Sequence, residues 1–137
     1  MFEELTAFIP KLTDIEYGHW HIDKKGDGSP ETPFQMPFVV YDEYVHAFSK
    51  AVTGFAIKNK DLGLTDYMRI IEPFREDGKE IDLASLDVSK LDGITTAALI
   101  VAIVRQERFC DGLLLDSLKN GAVQRLLKHL KKIDDKN

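Results

Sequence analysis

The sequence predicts an α+β fold that is mainly helical, with a small two-stranded antiparallel β-ribbon in the N-terminal half and a C-terminal helical hairpin. Apolar residues recur at helical spacing through most of the chain, whereas strand patterns occur only in residues 15–22, which alternate between two faces, and in residues 34–41, which follow a loop rich in glycine and proline. A length of 137 residues fits one domain. We therefore expect residues 1–137 to form a single domain.

The ribbon is expected from two short segments on either side of a loop rich in glycine and proline. In IEYGHWHI, alternation places Ile15, Tyr17, His19 and His21 on one face of a strand. FQMPFVVY predicts the second strand, with Pro37 suited to an edge because proline has no N–H for a central ladder. Two strands alone are only marginally stable, so we expect this ribbon to pack on helices.

Helices are predicted on both sides of the ribbon. A short helix opens the chain and bends or ends at Pro10, and Asp42 is placed to cap the helix that follows the ribbon. Thr65 is a candidate cap for the shorter segment TDYMRIIE, which Pro73 would end. The helix that follows the ribbon carries an apolar stripe formed by Val45, Phe48, Val52 and Phe55, which predicts that this helix packs on the core.

The final third of the chain predicts a central helix and a closing hairpin. GITTAALIVAIVRQER is long enough for a helix and apolar on nearly all sides; a buried strand is the rival interpretation of its β-branched run, but the flanking residues favour a helix. Asp111 is expected to cap a short helix over residues 112–119. Asn120 and Gly121 then predict a left-handed turn before an amphipathic helix over residues 123–133.

Charge and cysteine content limit the classes of partner and compartment. The net charge of -5 argues against general affinity for nucleic acid or anionic membranes, although residues 105–133 are basic and the acidic residues 61–92 are a candidate partner for them. A single cysteine excludes an internal disulfide and fits a reducing compartment. Two early glutamates do not fit a signal peptide, and the longest apolar run falls short of the ~18 residues needed to span a bilayer. We expect a cytoplasmic location and no membrane association.

Two patterns suggest metal binding only weakly. His19 and His21 would lie roughly 6.6 Å apart on one strand face, but a third ligand would have to come from a distant residue such as His46 or Asp23. Residues 23–34 resemble a calcium loop, yet carboxylates are missing from its third and twelfth positions. We predict no metal and no cofactor.

The segment RQERFCDG, residues 105–112, is the densest cluster of charge in the chain and contains its cysteine. One interpretation is a structural corner between two helices, in which Arg108 pairs with Asp111 while Asp111 caps the next helix. Cys110 is then expected to pack as a small apolar group, because no histidine can be placed beside it as the base that a catalytic thiol needs. The residues of this corner are Arg108, Phe109, Cys110, Asp111 and Gly112. Helical spacing pairs Phe109 with Leu113 and Cys110 with Leu114, so both are expected to continue the apolar faces through the corner.

The alternative interpretation is a small-ligand-binding protein or an enzyme with an open cleft, in which arginines hold an anion or a carboxylate. Its candidate ligand-binding residues are Arg105, Glu107 and Arg108, together with Tyr17, His19 and His21 from the first strand. A helix-turn-helix nucleic-acid binder is a third interpretation for residues 112–133. It is disfavoured because Asp116 and Asn120 occupy positions where such motifs usually have apolar residues.

The C-terminal third also resembles a known family. ITTAALIVAIVRQERFCDGLLLDSLKNGAVQRLLKHL is similar to a family of short, uncharacterised bacterial proteins in which an apolar helix runs into an ERFCDG-type segment and then a last helix. PFVVYDEYVHAF is similar to an earlier strand-to-helix junction of that family. The resemblance implies a bacterial source but no reaction, ligand or catalytic residue. We therefore expect a non-catalytic interaction or regulatory protein, which can form a homodimer through its amphipathic helices.

Overall fold

The computed structural model describes residues 1–22, 26, 28–31, 37–75 and 81–136. Its regular elements follow in the order of the chain: α1 (Glu3–Thr6), β1 (Gly18–His21), β2 (Phe38–Tyr41), α2 (Glu43–Lys58), α3 (Tyr67–Ile71), α4 (Gly93–Gln106), α5 (Leu113–Lys119) and α6 (Ala122–Asp135). Short 3-10 turns lie between several of them. The fold is α+β and mainly helical, which confirms the predicted class.

Helix α4 occupies the centre of the fold. Every residue from Thr95 to Ile103 is buried, because the apolar side chains that surround this helix meet neighbours on all sides. Its neighbours are α2, α3, α5 and α6. The carboxylate of Asp92 caps its first turn by accepting the N–H of Thr95 at 2.7 Å. The predicted central helix is therefore correct, and it ends at Gln106.

The two strands form the antiparallel ribbon that alternation predicts. Gly18 pairs with Tyr41 and His21 pairs with Phe38, so β2 begins directly after Pro37. The proposed earlier part of this strand, residues 34–36, lies outside the described residues. Asp42 follows β2 immediately and caps α2 as expected, accepting the N–H of Tyr44 at 2.9 Å. The ribbon is thereby fixed to the start of a core helix.

The hairpin of α5 and α6 closes the core. Gly121 has the left-handed φ of +84° that the sequence predicts for this turn, and Asn120 Oδ1 accepts the N–H of Ala122 at 2.9 Å. Leu126, Leu127 and Leu130 on α6 are buried against the rest of the core. At the opposite end of the molecule from this turn, Asp134 accepts the backbone N–H of Phe2 at 2.8 Å. Residues at the two ends of the chain are thus joined.

The first and third helices differ from expectation. Helix α1 has only four residues. Pro10 begins a separate 3-10 turn, Pro10–Leu12, because proline suits the first position of a helical turn. The Thr65 cap is wrong: Thr65 lies inside the 3-10 turn Leu64–Asp66, and α3 has no side-chain cap. Among the described residues, no helix is long and apolar enough to cross a membrane.

The acidic segment contacts the basic C-terminal helix mainly through its backbone. The guanidinium of Arg125 donates to the carbonyl oxygens of Leu83 at 2.6 Å and Ala84 at 3.0 Å. His129 makes a similar contact to the carbonyl oxygen of Leu91 at 2.7 Å. The expected contact between these regions therefore exists, but most of its hydrogen bonds are accepted by main-chain carbonyls rather than by carboxylates.

Candidate functional site

The turn between α4 and α5, which we call the corner, is held by the carboxylate of Glu107. This carboxylate accepts the backbone N–H of Gly112 at 2.8 Å and the phenol hydroxyl of Tyr41. The Tyr41 oxygen in turn accepts the N–H of Leu115 at 3.2 Å. Strand β2, the end of α4 and the first turn of α5 are therefore joined by one hydrogen-bonded network.

The network keeps Tyr41 protonated. Burial raises the pKa of Tyr41 well above its ordinary value, and the nearby Glu107 carboxylate raises this pKa further because it favours a neutral hydrogen-bond donor. Tyr41 can therefore donate to Glu107 throughout the neutral range. The pair of Tyr41 and Glu107, which we call the clasp, has a structural role, since both side chains make hydrogen bonds within the chain.

Gly112 allows the corner to turn and brings the ribbon against it. Its φ of +93° lies in the left-handed region, which glycine adopts without a Cβ penalty. A Cβ at this position would lie 2.5 Å from Cζ2 of Trp20, so the indole ring covers the bare glycine backbone. The ribbon is thus docked on the corner through Trp20 as well as through Tyr41.

The predicted role of Asp111 is wrong. Gly112, not Asp111, is the residue preceding α5, and no side chain caps this helix through an N-cap bond. Among the described residues Asp111 makes no ion pair with Arg108 either, and both side chains are exposed. The left-handed turn at Gly112 places glycine at the N-cap position of α5. The Glu107 carboxylate accepts the N–H of this glycine.

The outer side of the corner carries aromatic and cationic groups. Phe109 is 83% exposed, and the guanidinium of Arg108 lies 5.7 Å from the centroid of its ring. Phe109 does not continue the apolar face of α4 as expected, because the helix ends at Gln106 and its spacing no longer applies. Arg105 and Arg108 are exposed and make no ion pair within the described part of the chain.

The cysteine lies on a different side of the corner. Cys110 is exposed, which corrects the expectation that it packs in the core. Together with Gln106 it borders a cavity of about 140 Å³ whose wall is otherwise mainly aliphatic. Arg105, Glu107 and Arg108 do not line this cavity. The candidate arginines and the cavity therefore involve different residues.

The candidate residues of the first strand differ in their surroundings. Tyr17 faces the core, where its hydroxyl donates to the carbonyl of Leu12 at 2.9 Å and accepts from Gln124 at 2.8 Å. His19 and His21 are exposed on the ribbon, and the His21 ring lies 4.9 Å from that of Phe38. Among the described residues, Tyr17, His19 and His21 make no hydrogen bond or ion pair with Glu107.

Metal-binding side chains are not clustered in the part of the chain that the structure describes, where no three His, Cys, Asp or Glu residues are placed to hold an ion. Asp23, the suggested third ligand, lies outside the described residues, as does most of the loop compared with a calcium site. Sequence reasoning missed Tyr41 and Trp20, whose contacts at the corner join segments far apart in the chain.

Comparison with known proteins identifies a family without adding a function. No curated protein and no solved structure matches the chain. A family model described as a family of unknown function, DUF6508, matches residues 1–136. Because this match covers nearly the whole sequence, the chain belongs to the DUF6508 family of unknown function.

Proposed function

We propose that the protein is a non-catalytic interaction module that binds an acidic, partly apolar segment of another protein on the outer side of the corner. The contact surface consists of Trp20, Arg105, Arg108 and Phe109. The observation that carries the proposal is the 83% exposure of Phe109 beside Arg108, together with the absence of ion pairs of Arg105 and Arg108 among the described residues. We call these four residues the corner surface.

The arginines specify the charge of the partner. Guanidinium groups bind carboxylates in a bidentate geometry, and exposed arginines can do so without first breaking an internal pair. Arg105 and Arg108 are three residues apart on the last turn of α4 and its continuation, so that they can engage neighbouring carboxylates. The complementary partner is therefore acidic.

The aromatic residues specify an apolar component. Tryptophan and arginine are the residue types most enriched among the dominant contacts of protein interfaces. Trp20 is 43% exposed although its ring is anchored over Gly112, so it offers a rigid surface that loses little freedom on binding. A partner segment that places an apolar side chain beside a carboxylate fits this combination.

The internal use of Glu107 favours this function over the anion-binding or enzymatic alternative. A catalytic or small-ligand site brings polar groups together around a concavity. Here Glu107 points into the chain toward Tyr41 and Gly112, and the neighbouring cavity is lined by other residues. Nucleic-acid binding stays disfavoured by the net charge of -5.

Selection from a displayed library of random peptides tests the proposal. We expect the selected peptides to combine Asp or Glu with a neighbouring apolar side chain, and to bind less tightly as salt is raised. Both Phe109→Ala and the double variant Arg105→Glu/Arg108→Glu should remove binding. Peptides without acidic residues, or binding that survives both variants, would contradict the proposal.

Two matched controls separate the corner surface from general effects. Lys128→Glu/Lys132→Glu makes the same change in charge on exposed residues of α6, and Ile57→Ala removes another apolar side chain that is 59% exposed. Both controls should bind the selected peptides as the wild type does. If sedimentation shows a dimer that Phe109→Ala dissociates, a second copy occupies the surface and the proposed partner is wrong.

A further inference from the structure

We propose that the cavity between α3, α4 and the start of α5 is a binding site for a small molecule with an aromatic or branched aliphatic body and one hydrogen-bonding group. The cavity has a volume of about 140 Å³. None of the four residues of the corner surface lines it. The inference is therefore independent of the proposed protein partner.

The wall of the cavity is mainly apolar, and Arg75, Gln106 and Cys110 are its polar lining residues. Aliphatic side chains from α3, α4, α5 and residues 81–83 form most of it, including Ile71, Leu99, Ile103 and Leu113. Apolar walls hold water poorly, because a buried water needs two to four polar partners. Apolar cavities of about 150 Å³ are known to bind benzene-sized molecules. Size and lining together indicate a ligand body with the dimensions of a single ring.

Gln106 supplies an uncharged polar group of the site, in addition to Arg75, whose guanidinium donates to the Glu72 carboxylate at 3.1 Å. Its side-chain nitrogen donates to the thioether sulfur of Met68 at 3.4 Å, and this is its only side-chain hydrogen bond among the described residues. Thioether sulfur is a weak acceptor, so the carboxamide keeps donor and acceptor capacity for a ligand. A hydroxyl, carbonyl or amide group on the ligand can replace this weak contact with a normal hydrogen bond.

Cys110 marks the entrance. It lines the same cavity and is exposed to solvent. Because it is the only cysteine in the chain, alkylation by N-ethylmaleimide reports on this position alone. A molecule seated in the cavity should shield the thiol and slow its alkylation.

Binding of p-cresol and toluene to the purified full chain tests the inference, because the two probes differ by one hydroxyl. NMR titration should show that both bind, with p-cresol tighter, and Cys110 alkylation should slow in proportion to the bound fraction. Gln106→Leu should weaken p-cresol binding about fivefold, the equivalent of one hydrogen bond, and leave toluene binding unchanged.

A cavity-filling variant locates the binding. Ala102 is buried in the wall, so Ala102→Leu should abolish binding of both probes, whereas Ala47→Leu makes the same substitution at an exposed position of α2 and should not. If Ala102→Leu does not fold, the Gln106→Leu titration and the rate of Cys110 alkylation decide whether the probes bind in the cavity. Absence of binding by either probe, preference for toluene, or binding that leaves Cys110 alkylation unchanged would overturn the inference.

Discussion

Removal of the Glu107 carboxylate should destabilise the fold, because this group joins β2 to the start of α5. Glu107→Ala deletes the acceptor for the Tyr41 hydroxyl and for the Gly112 N–H. Hydrogen bonds to a charged group contribute about 1.5–3 kcal/mol each, and partial solvent access to this half-buried site favours the lower end. We expect the free energy of unfolding to fall by about 2–3 kcal/mol.

Comparison with two other variants makes this test specific. Glu107→Gln keeps an acceptor oxygen without the charge and should cost about 1 kcal/mol. Asp111→Ala should change stability by less than about 0.5 kcal/mol, because the Asp111 side chain is exposed and caps no helix. Sequence spacing alone predicts the opposite order, with Asp111 the more important residue.

Urea denaturation followed by circular dichroism and by fluorescence of the single tryptophan, Trp20, supplies the measurement. In a double-mutant cycle, Glu107→Ala should cost about 1 kcal/mol less when Tyr41 is already phenylalanine, since the shared hydrogen bond is then absent. A Glu107→Ala midpoint within error of the wild type, or an Asp111→Ala loss of equal size, would refute the clasp.

Three further predictions concern the same framework. Gly112→Ala should cost at least about 1 kcal/mol, because its φ is +93° and the new Cβ would displace the Trp20 ring, and Trp20 fluorescence should shift with it. Because the pKa of Tyr41 is raised on folding, its contribution is fully present below the unfolded pKa of about 10 and is lost as pH rises above that value. Wild-type stability should therefore fall more steeply in alkali than that of Tyr41→Phe, with tyrosinate absorbance following the loss. Asp92→Ala should lower thermal stability by about 1 kcal/mol through loss of the α4 cap at Thr95, as measured by calorimetry.

Local sequence signals predicted the elements whose determinants are local. The long apolar run of α4 can be buried only in the centre of the fold. Alternation in IEYGHWHI, and the short apolar run of FQMPFVVY after a loop of turn-forming residues, identified the paired strands. The cap at Asp42 and the left-handed turn at Gly121 also depend on one or two residues each. These features need no information about distant parts of the chain.

The chemistry of the corner was less accessible to sequence reasoning. Glu107 and Tyr41 are 66 residues apart, so no spacing rule connects them. Asp111 was predicted to cap α5, but the left-handed conformation of Gly112 shifts the N-cap position by one residue. Phe109 and Cys110 were placed on apolar faces by extending helical spacing beyond Gln106, where α4 ends. Tertiary contacts decided each of these positions.

The most direct test of the account measures peptide binding and stability in the same two variants, because the corner is proposed to have an internal clasp and an external binding surface. Arg105→Glu/Arg108→Glu should abolish binding of selected acidic peptides and lower the urea midpoint less than Glu107→Ala does, since neither arginine has an ion-pair partner in the described residues. Glu107→Gln should lower the midpoint and retain binding under folding conditions. A loss of stability in the arginine variant as large as that of Glu107→Ala, or peptide binding that survives the arginine variant, would contradict the central claim.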